Sequence, residues 1–323
     1  MSAGTEATAS ARTGVKRNVS KDLLNLARTP GGSPRTKGLP APRASASRAL
    51  RPAATALVAA LFAVIAFAGG DPTAVSITTP HYDPGRVPEH PDQLHRFRFA
   101  WTGIPVGEIN VRLREDKDAT GRRLLRVSAS GKTNPVIDIL WRYRMNAEGH
   151  VGLEPFGPGR FEADEQENKR RKLTTIEYED GRIRSTRVKG DRTTRYDFEA
   201  GATLDLLSTV TATLAMDYVI GDQYYFDVFT GTSRYLCTVE VEARETILAA
   251  GVERDSYRLG ITTADLTDPA AEAKHRATQL WVSATRPRSL LRASVKTFIG
   301  SVHAELLAVV PGEAGEAPEH NRD

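Results

Sequence analysis

The feature that most constrains this chain is an alternation of apolar and polar residues that recurs, between turn residues, along its C-terminal part. Phe97, Phe99 and Trp101 alternate with Arg96 and Arg98, and Ile109, Val111 and Leu113 alternate with Asn110, Arg112 and Arg114. The same pattern returns at Leu125, Val127 and Ala129, at Leu291, Ala293 and Val295, and at Val302, Ala304 and Leu306. Successive side chains of a strand point to opposite faces, so each run specifies one dry face and one wet face, as in antiparallel sheets. The expected fold class is mainly β: a large curved antiparallel sheet, an open or partial barrel, with one packed amphipathic helix. That helix is expected in Thr203–Met216, where Leu207, Val210, Thr211 and Leu214 fall at helical spacing and Asp205 stands at the N-cap. Shorter helical character is expected at Pro135–Leu140, where a proline opens the segment.

Residues 1–52 are rich in Ala, Ser, Thr, Pro, Gly and Arg and are expected to form a disordered basic tail. The run at 53–70, AATALVAALFAVIAFAGG, is expected to be a signal peptide or a single membrane anchor. Before it the chain carries ten Lys and Arg against Glu6 and Asp22, while the whole chain is only +4, so the excess of positive charge belongs to the tail. Cations stay on the inner side of an inserting segment, so residues after Gly70 are expected outside the inner membrane, in the periplasm or cell envelope. The small residues Ala66 and Ala68 fit signal-peptidase cleavage; an uncleaved anchor is the alternative. Residues 71–91, with five prolines, read as an extended linker, 92–310 as the β-rich exported domain, and 311–323 as a disordered acidic tail. With the positive charge assigned to the tail, no nucleic-acid partner is expected.

Cys237 is the sole cysteine, so no intrachain disulfide is possible. It shares strand phase with Tyr235, Val239 and Val241, which places it on an apolar face as an inert thiol. In Arg160–Tyr178 an acidic arm (Glu162, Asp164, Glu165, Glu167) precedes a basic one (Lys169, Arg170, Arg171, Lys172), as in a hairpin whose register is set by cross-strand charge pairs. The chain has no G-x-S-x-G, Walker A, H-E-x-x-H or C-x-x-C sequence, and its histidines are scattered. No catalytic residue, metal site or cofactor is therefore expected.

Two groups remain as candidate binding residues. Asp138, Trp141 and Arg142 stand close together, either as a structural tie between Asp138 and an arginine or as part of a polar pocket. Asp205 and Ser208 form the second, for which helix capping is the plainer role. These groups lie in a set of ordered motifs: G-I-P-V-G-E at 103–108, T-N-P-V-I-D-I-L-W at 133–141, D-L-L-S at 205–208, G-D-Q-Y-Y-F-D-V-F-T-G at 221–231 and F-I-G-S-V-H-A-E-L at 298–306. In these motifs the chain resembles the bacterial envelope family known as domain of unknown function 3108. The resemblance implies an exported β-rich domain and brings no established activity or catalytic residue. The chain departs from the family habit in its long basic tail and at Thr209–Leu214, where aromatic residues are more usual.

Three functions are compatible with this reading. A curved sheet with a helix beneath it can hold a lipid or other apolar ligand in a groove. The domain can instead be a structural or assembly partner of an envelope complex. A hydrolase built on Asp138, Asp205 and Ser208 is the third, disfavoured because no histidine base stands in a recognisable arrangement with the serine.

Overall fold

The computed structural model describes residues 71–75, 79, 81–267, 278–296 and 300–312. The expectations for residues 1–52, for the run at 53–70 and for most of the acidic tail fall outside them. The described chain forms one large sheet of fifteen strands. They are β1 (Gln93–Trp101), β2 (Ile104–Lys117), β3 (Arg123–Thr133), β4 (Tyr143–Leu153), β5 (Phe156–Glu167), β6 (Arg170–Glu179), β7 (Arg182–Lys189) and β8 (Arg192–Glu199). Then come β9 (Thr203–Leu204), β10 (Gln223–Phe229), β11 (Arg234–Ala249), β12 (Val252–Asp265), β13 (Thr278–Ser283), β14 (Leu290–Lys296) and β15 (Ser301–Pro311). Helix α1 (Pro135–Asp138) joins β3 to β4, and α2 (Leu206–Ala215) follows β9.

The spatial order runs from β8 back to β1, crosses to β15, and continues down to β9. All the pairings are antiparallel except that of β9 with β10, which is parallel. The chain thus passes directly from β8 to β9, which are the two free ends of the sheet. Among the described residues no ladder joins those ends; side chains do. Phe198 of β8 meets Phe229 of β10 edge-to-face at 5.1 Å between ring centroids, and Arg234 of β11 lies over the Phe198 ring at 5.4 Å. Ser185 Oγ of β7 donates to the Gly231 carbonyl at 2.9 Å. The result is an open barrel whose seam is closed by packing.

The alternating runs face as their sequence dictates. Phe97, Phe99, Leu125, Val127, Ala129, Leu291, Ala293, Val295, Val302, Ala304 and Leu306 are buried, while Val111 is half-buried against the same core. Cys237 is buried, in phase with Tyr235, Val239 and Val241, and burial pushes its thiol pKa up to about 12. The charged hairpin pairs Glu165 with Lys172 and Asp164 with Arg171 in ion pairs across β5 and β6.

Helix α2 has the expected Asp205 cap but begins at Leu206, because Thr203 and Leu204 are drawn into β9 beside β10, and its buried face is wider than a stripe. Of its residues only Val210 is not fully buried. A helix packed on one face of an open sheet would keep a wet side; this one packs against β4 and β5 on one arm of the sheet and β10 on the other, so it lies inside the curl. Its threonines permit this. Thr209, Thr211 and Thr213 each donate their hydroxyl to the carbonyl four residues earlier, at 2.7–3.0 Å, which satisfies the polar groups without water. Close approach to β4 requires Gly149, where an added Cβ would lie 2.8 Å from Leu207 Cδ1 and 3.0 Å from Leu207 Cβ.

The segment expected to be an extended linker also bonds to the domain at its described residues. Pro72, Val87 and His90 are buried, Val87 N donates to the Leu153 carbonyl at 3.2 Å, and Tyr82 N donates to the Tyr225 carbonyl at 3.0 Å. Prolines keep it extended, but an extended chain still offers N–H and C=O groups that the sheet satisfies. At the other end the ladder reaches Pro311, which pairs with Gln93, one residue beyond the expected boundary.

Candidate functional site

The sequence-based candidates fall into two groups that no hydrogen bond or ion pair joins among the described residues. The first surrounds α1. Asn134 caps this single turn, accepting from Ile137 N at 2.9 Å, and Pro135 follows at the first helical position. Asn134 also fixes the turn to the β1–β2 hairpin, its Nδ2 donating to the Pro105 carbonyl and its backbone N to the Val106 carbonyl, both at 2.9 Å. Asp138 accepts from Thr133 Oγ1 and from both terminal nitrogens of Arg144. Burial pushes the Asp138 carboxyl up, but the hydrogen bonds from Arg144 and Thr133 outweigh it and hold its pKa below the usual value. Both carboxylate oxygens are occupied, so Asp138 is a tie that clasps α1 to β4.

Trp141 and Arg142 diverge although they are adjacent. Trp141 is buried, stacked on Tyr143 with ring centroids 5.4 Å apart, and donates its indole N–H to Glu167 at 3.3 Å. The Tyr143 hydroxyl donates to Glu165 at 3.1 Å. Arg142 points to solvent; its main chain exchanges hydrogen bonds with Asn168 at the β5–β6 turn. Asp138, Trp141 and Arg142 therefore do not converge on a pocket.

The second group lies at the N-terminus of α2. Asp205 is fully buried and accepts from Leu207 N at 2.8 Å, Ser208 N at 3.0 Å and Ser208 Oγ at 2.6 Å. Burial raises the Asp205 pKa, and the hydrogen bonds from Ser208 and Leu207 offset that only in part. A serine donating to a carboxylate has the geometry of an activated nucleophile, but Ser208 is fully buried too and no imidazole bonds it among the described residues. The pair caps the helix.

A neighbouring cluster escaped the reading of the sequence. Arg234 forms a buried ion pair with Asp227, its Nε donating to both carboxylate oxygens at 3.1 Å. Thr203 Oγ1 donates to Asp227 and accepts from Arg234 Nη2 at 3.0 Å. Arg234 Nη1 also donates to the Val75 carbonyl at 3.2 Å and to the Pro72 carbonyl at 3.5 Å. One guanidinium thus joins β9, β10, β11 and the segment before β1 at the barrel seam. Asp227 was visible as part of G-D-Q-Y-Y-F-D-V-F-T-G, but nothing in the sequence pairs it with an arginine across a turn.

The family described as "Protein of unknown function (DUF3108)" matches residues 96–307, which is the greater part of the chain and most of the sheet. The chain belongs to that family. No curated protein matches. Among solved structures, the chain is similar to a β-barrel-like protein of domain of unknown function DUF1849 from Brucella abortus, with 10% identity and a TM-score of 0.46 over 71% of this chain and 99% of that one. It is also similar to a candidate lipoprotein from Parabacteroides distasonis, with 9% identity and a TM-score of 0.32 over 72% of this chain and 100% of that one. A candidate exported protein with a YmcC-like fold from Bacteroides fragilis gives 9% identity and a TM-score of 0.32 over 70% and 98% of the two chains. None of the three reaches a TM-score of 0.5, and they carry no more than that similarity.

Proposed function

We propose that this DUF3108 member is a non-catalytic exported envelope protein that acts through its outer surface, as a structural or assembly partner. The observation that carries the reading is the position of α2. The curl of the sheet is where a lipid or other apolar ligand would sit, and there Leu207 is pressed against Gly149 while α2 packs on both arms of the sheet. An interior packed in this way is a core, stabilised by the apolar area that it removes from water. The hydrolase alternative gains no support from Asp205 and Ser208, because both are out of reach of a substrate. Export rests on the apolar run at 53–70 and its basic flank.

Two measurements test the reading. A reporter that works only in the cytoplasm, fused after Leu307, is expected to be inactive; activity would refute export. Thermal melting of the purified protein with monomeric fatty acids or lysolipids is expected to show no rise. A ligand that binds only the native state raises stability by mass action, so a rise that grows with ligand concentration would restore the interior as a binding site and overturn the surface reading.

A further inference from the structure

The single turn α1 and the two residues after it cannot turn all of their apolar side chains inward. Ile137 packs against the core, whereas Val136 is 73% exposed, Ile139 83% and Leu140 65%. Ile104, on the hairpin to which Asn134 is bonded, is 58% exposed. In the meander β1–β6 the β1–β2, β3–β4 and β5–β6 connections fall at the same end of the sheet, so these four side chains share one end. That end is also basic. Lys132 and Arg142 flank α1, and Lys169 and Arg170 sit at the β5–β6 turn that Asn168 bonds to Arg142; all four are exposed, and none forms an ion pair among the described residues. Arg142 helps to lower the Asp138 pKa, but Asp138 is already engaged by Arg144 and Thr133. Two acids share this end: Glu108 is exposed opposite Lys132 in the β2–β3 ladder, and Glu167, half-buried and accepting from the Trp141 indole, stands opposite Arg170 in the β5–β6 ladder.

We propose that this end of the domain docks on an anionic lipid surface, with Ile104, Val136, Ile139 and Leu140 inserted at the headgroup level and Lys132, Arg142, Lys169 and Arg170 on lipid phosphates. The proposal rests on the reading that the domain acts through its outer surface, and names the partner. Two features select a lipid surface as the occupant. The apolar groups stand out singly on turns, where each can enter the headgroup region of a fluid interface, whereas a protein partner would call for a packed patch anchored by aromatic side chains. The surrounding cations complement lipid phosphate, each contributing roughly fivefold to affinity near an anionic surface.

The test uses the full chain carrying Ile139→Cys labelled with a polarity-sensitive fluorophore, because the native Cys237 is buried and unreactive in the folded protein. The same label at Val219, an exposed apolar position on the turn after α2, is the control. Because the label reports its own surroundings, attachment of the chain through residues 53–70 does not mimic docking. Vesicles of phosphatidylcholine mixed with phosphatidylglycerol are expected to shift the label at 139 to an apolar environment and to leave the label at 219 in water. Pure phosphatidylcholine vesicles are expected to leave both in water. Combining Lys132→Gln, Arg142→Gln, Lys169→Gln and Arg170→Gln should weaken the response at least a hundredfold, with the melting temperature unchanged. A label at 139 that stays in water on both vesicles, shifts equally on both, or responds unchanged in the charge variant overturns the proposal. If it stays in water on vesicles but cross-links to a protein in the envelope, the lipid partner is wrong and the surface reading survives; a ligand-dependent melting rise would sink the surface reading itself.

Discussion

Replacing Asp205 by alanine should destabilise the domain by about 2–4 kcal/mol, more than loss of an exposed helix cap. Removing an N-cap costs about 0.5–2 kcal/mol. Here the side chain also accepts the Ser208 hydroxyl, and the whole group is fully buried, so the donors left behind have no water to turn to and add about 1–3 kcal/mol. Asp205→Asn should cost little. Its amide oxygen can accept from Leu207 N and Ser208 N, and its NH2 can donate to Ser208 Oγ, while the desolvated charge is gone. The pH dependence separates the two roles. Burial raises the Asp205 pKa in the folded state, so its contribution to stability is greatest below the unfolded carboxyl value and falls as pH rises through the folded one. Asparagine does not titrate, so the stability of Asp205→Asn relative to the native protein should improve as pH rises through that window. Urea denaturation of the three proteins at several pH values measures both effects. An asparagine variant as unstable as the alanine one, with the gap independent of pH, would refute the capping argument.

Three other perturbations address the packing and the buried charges. Gly149→Ala should cost about 1–3 kcal/mol by overpacking, because the added carbon meets Leu207 near its backbone; pairing it with Leu207→Ala should recover part of the loss in denaturant melts. Arg234→Met should cost about 3–5 kcal/mol by leaving Asp227 buried and unpaired, and adding Asp227→Asn should restore part of it; a double-mutant cycle in urea reads this directly. His95 is buried with its Nε2 unpartnered, and burial lowers its pKa to about 4. Below the unfolded value of about 6.5 the unfolded chain takes up the proton first, so stability should fall as pH drops from about 6.5 towards 4, by up to about 3 kcal/mol, and His95→Phe should flatten that slope.

How much of this was legible depended on whether the information is local. Alternation at Phe97/Phe99 or Leu125/Val127/Ala129 reports the face of a strand, and an aspartate before Leu206–Ala215 reports a cap, so strands, helix and hairpin register could be read directly. The interior position of α2 could not. It depends on three threonine hydroxyls folding back on the helix and on the absence of a side chain at Gly149, far away in sequence. The same holds for the seam, where Arg234 reaches Pro72 and Val75 across about half of the chain. At α1 the warning was present: Val136, Ile137, Ile139 and Leu140 crowd one turn, which has only one inward face. Asp138, Trp141 and Arg142 drew attention as polar candidates instead, and they serve as tie, core and surface respectively.

Hydrogen exchange of the α2 amides, with and without added monomeric lipid, tests the central claim most directly. If α2 is a permanent part of the core, Thr209–Leu214 exchange only through global unfolding, as slowly as the central strands, and lipid leaves them unchanged. Exchange of α2 through a smaller opening, altered by lipid while the strands keep their protection, would show a displaceable plug over a ligand site and contradict the account.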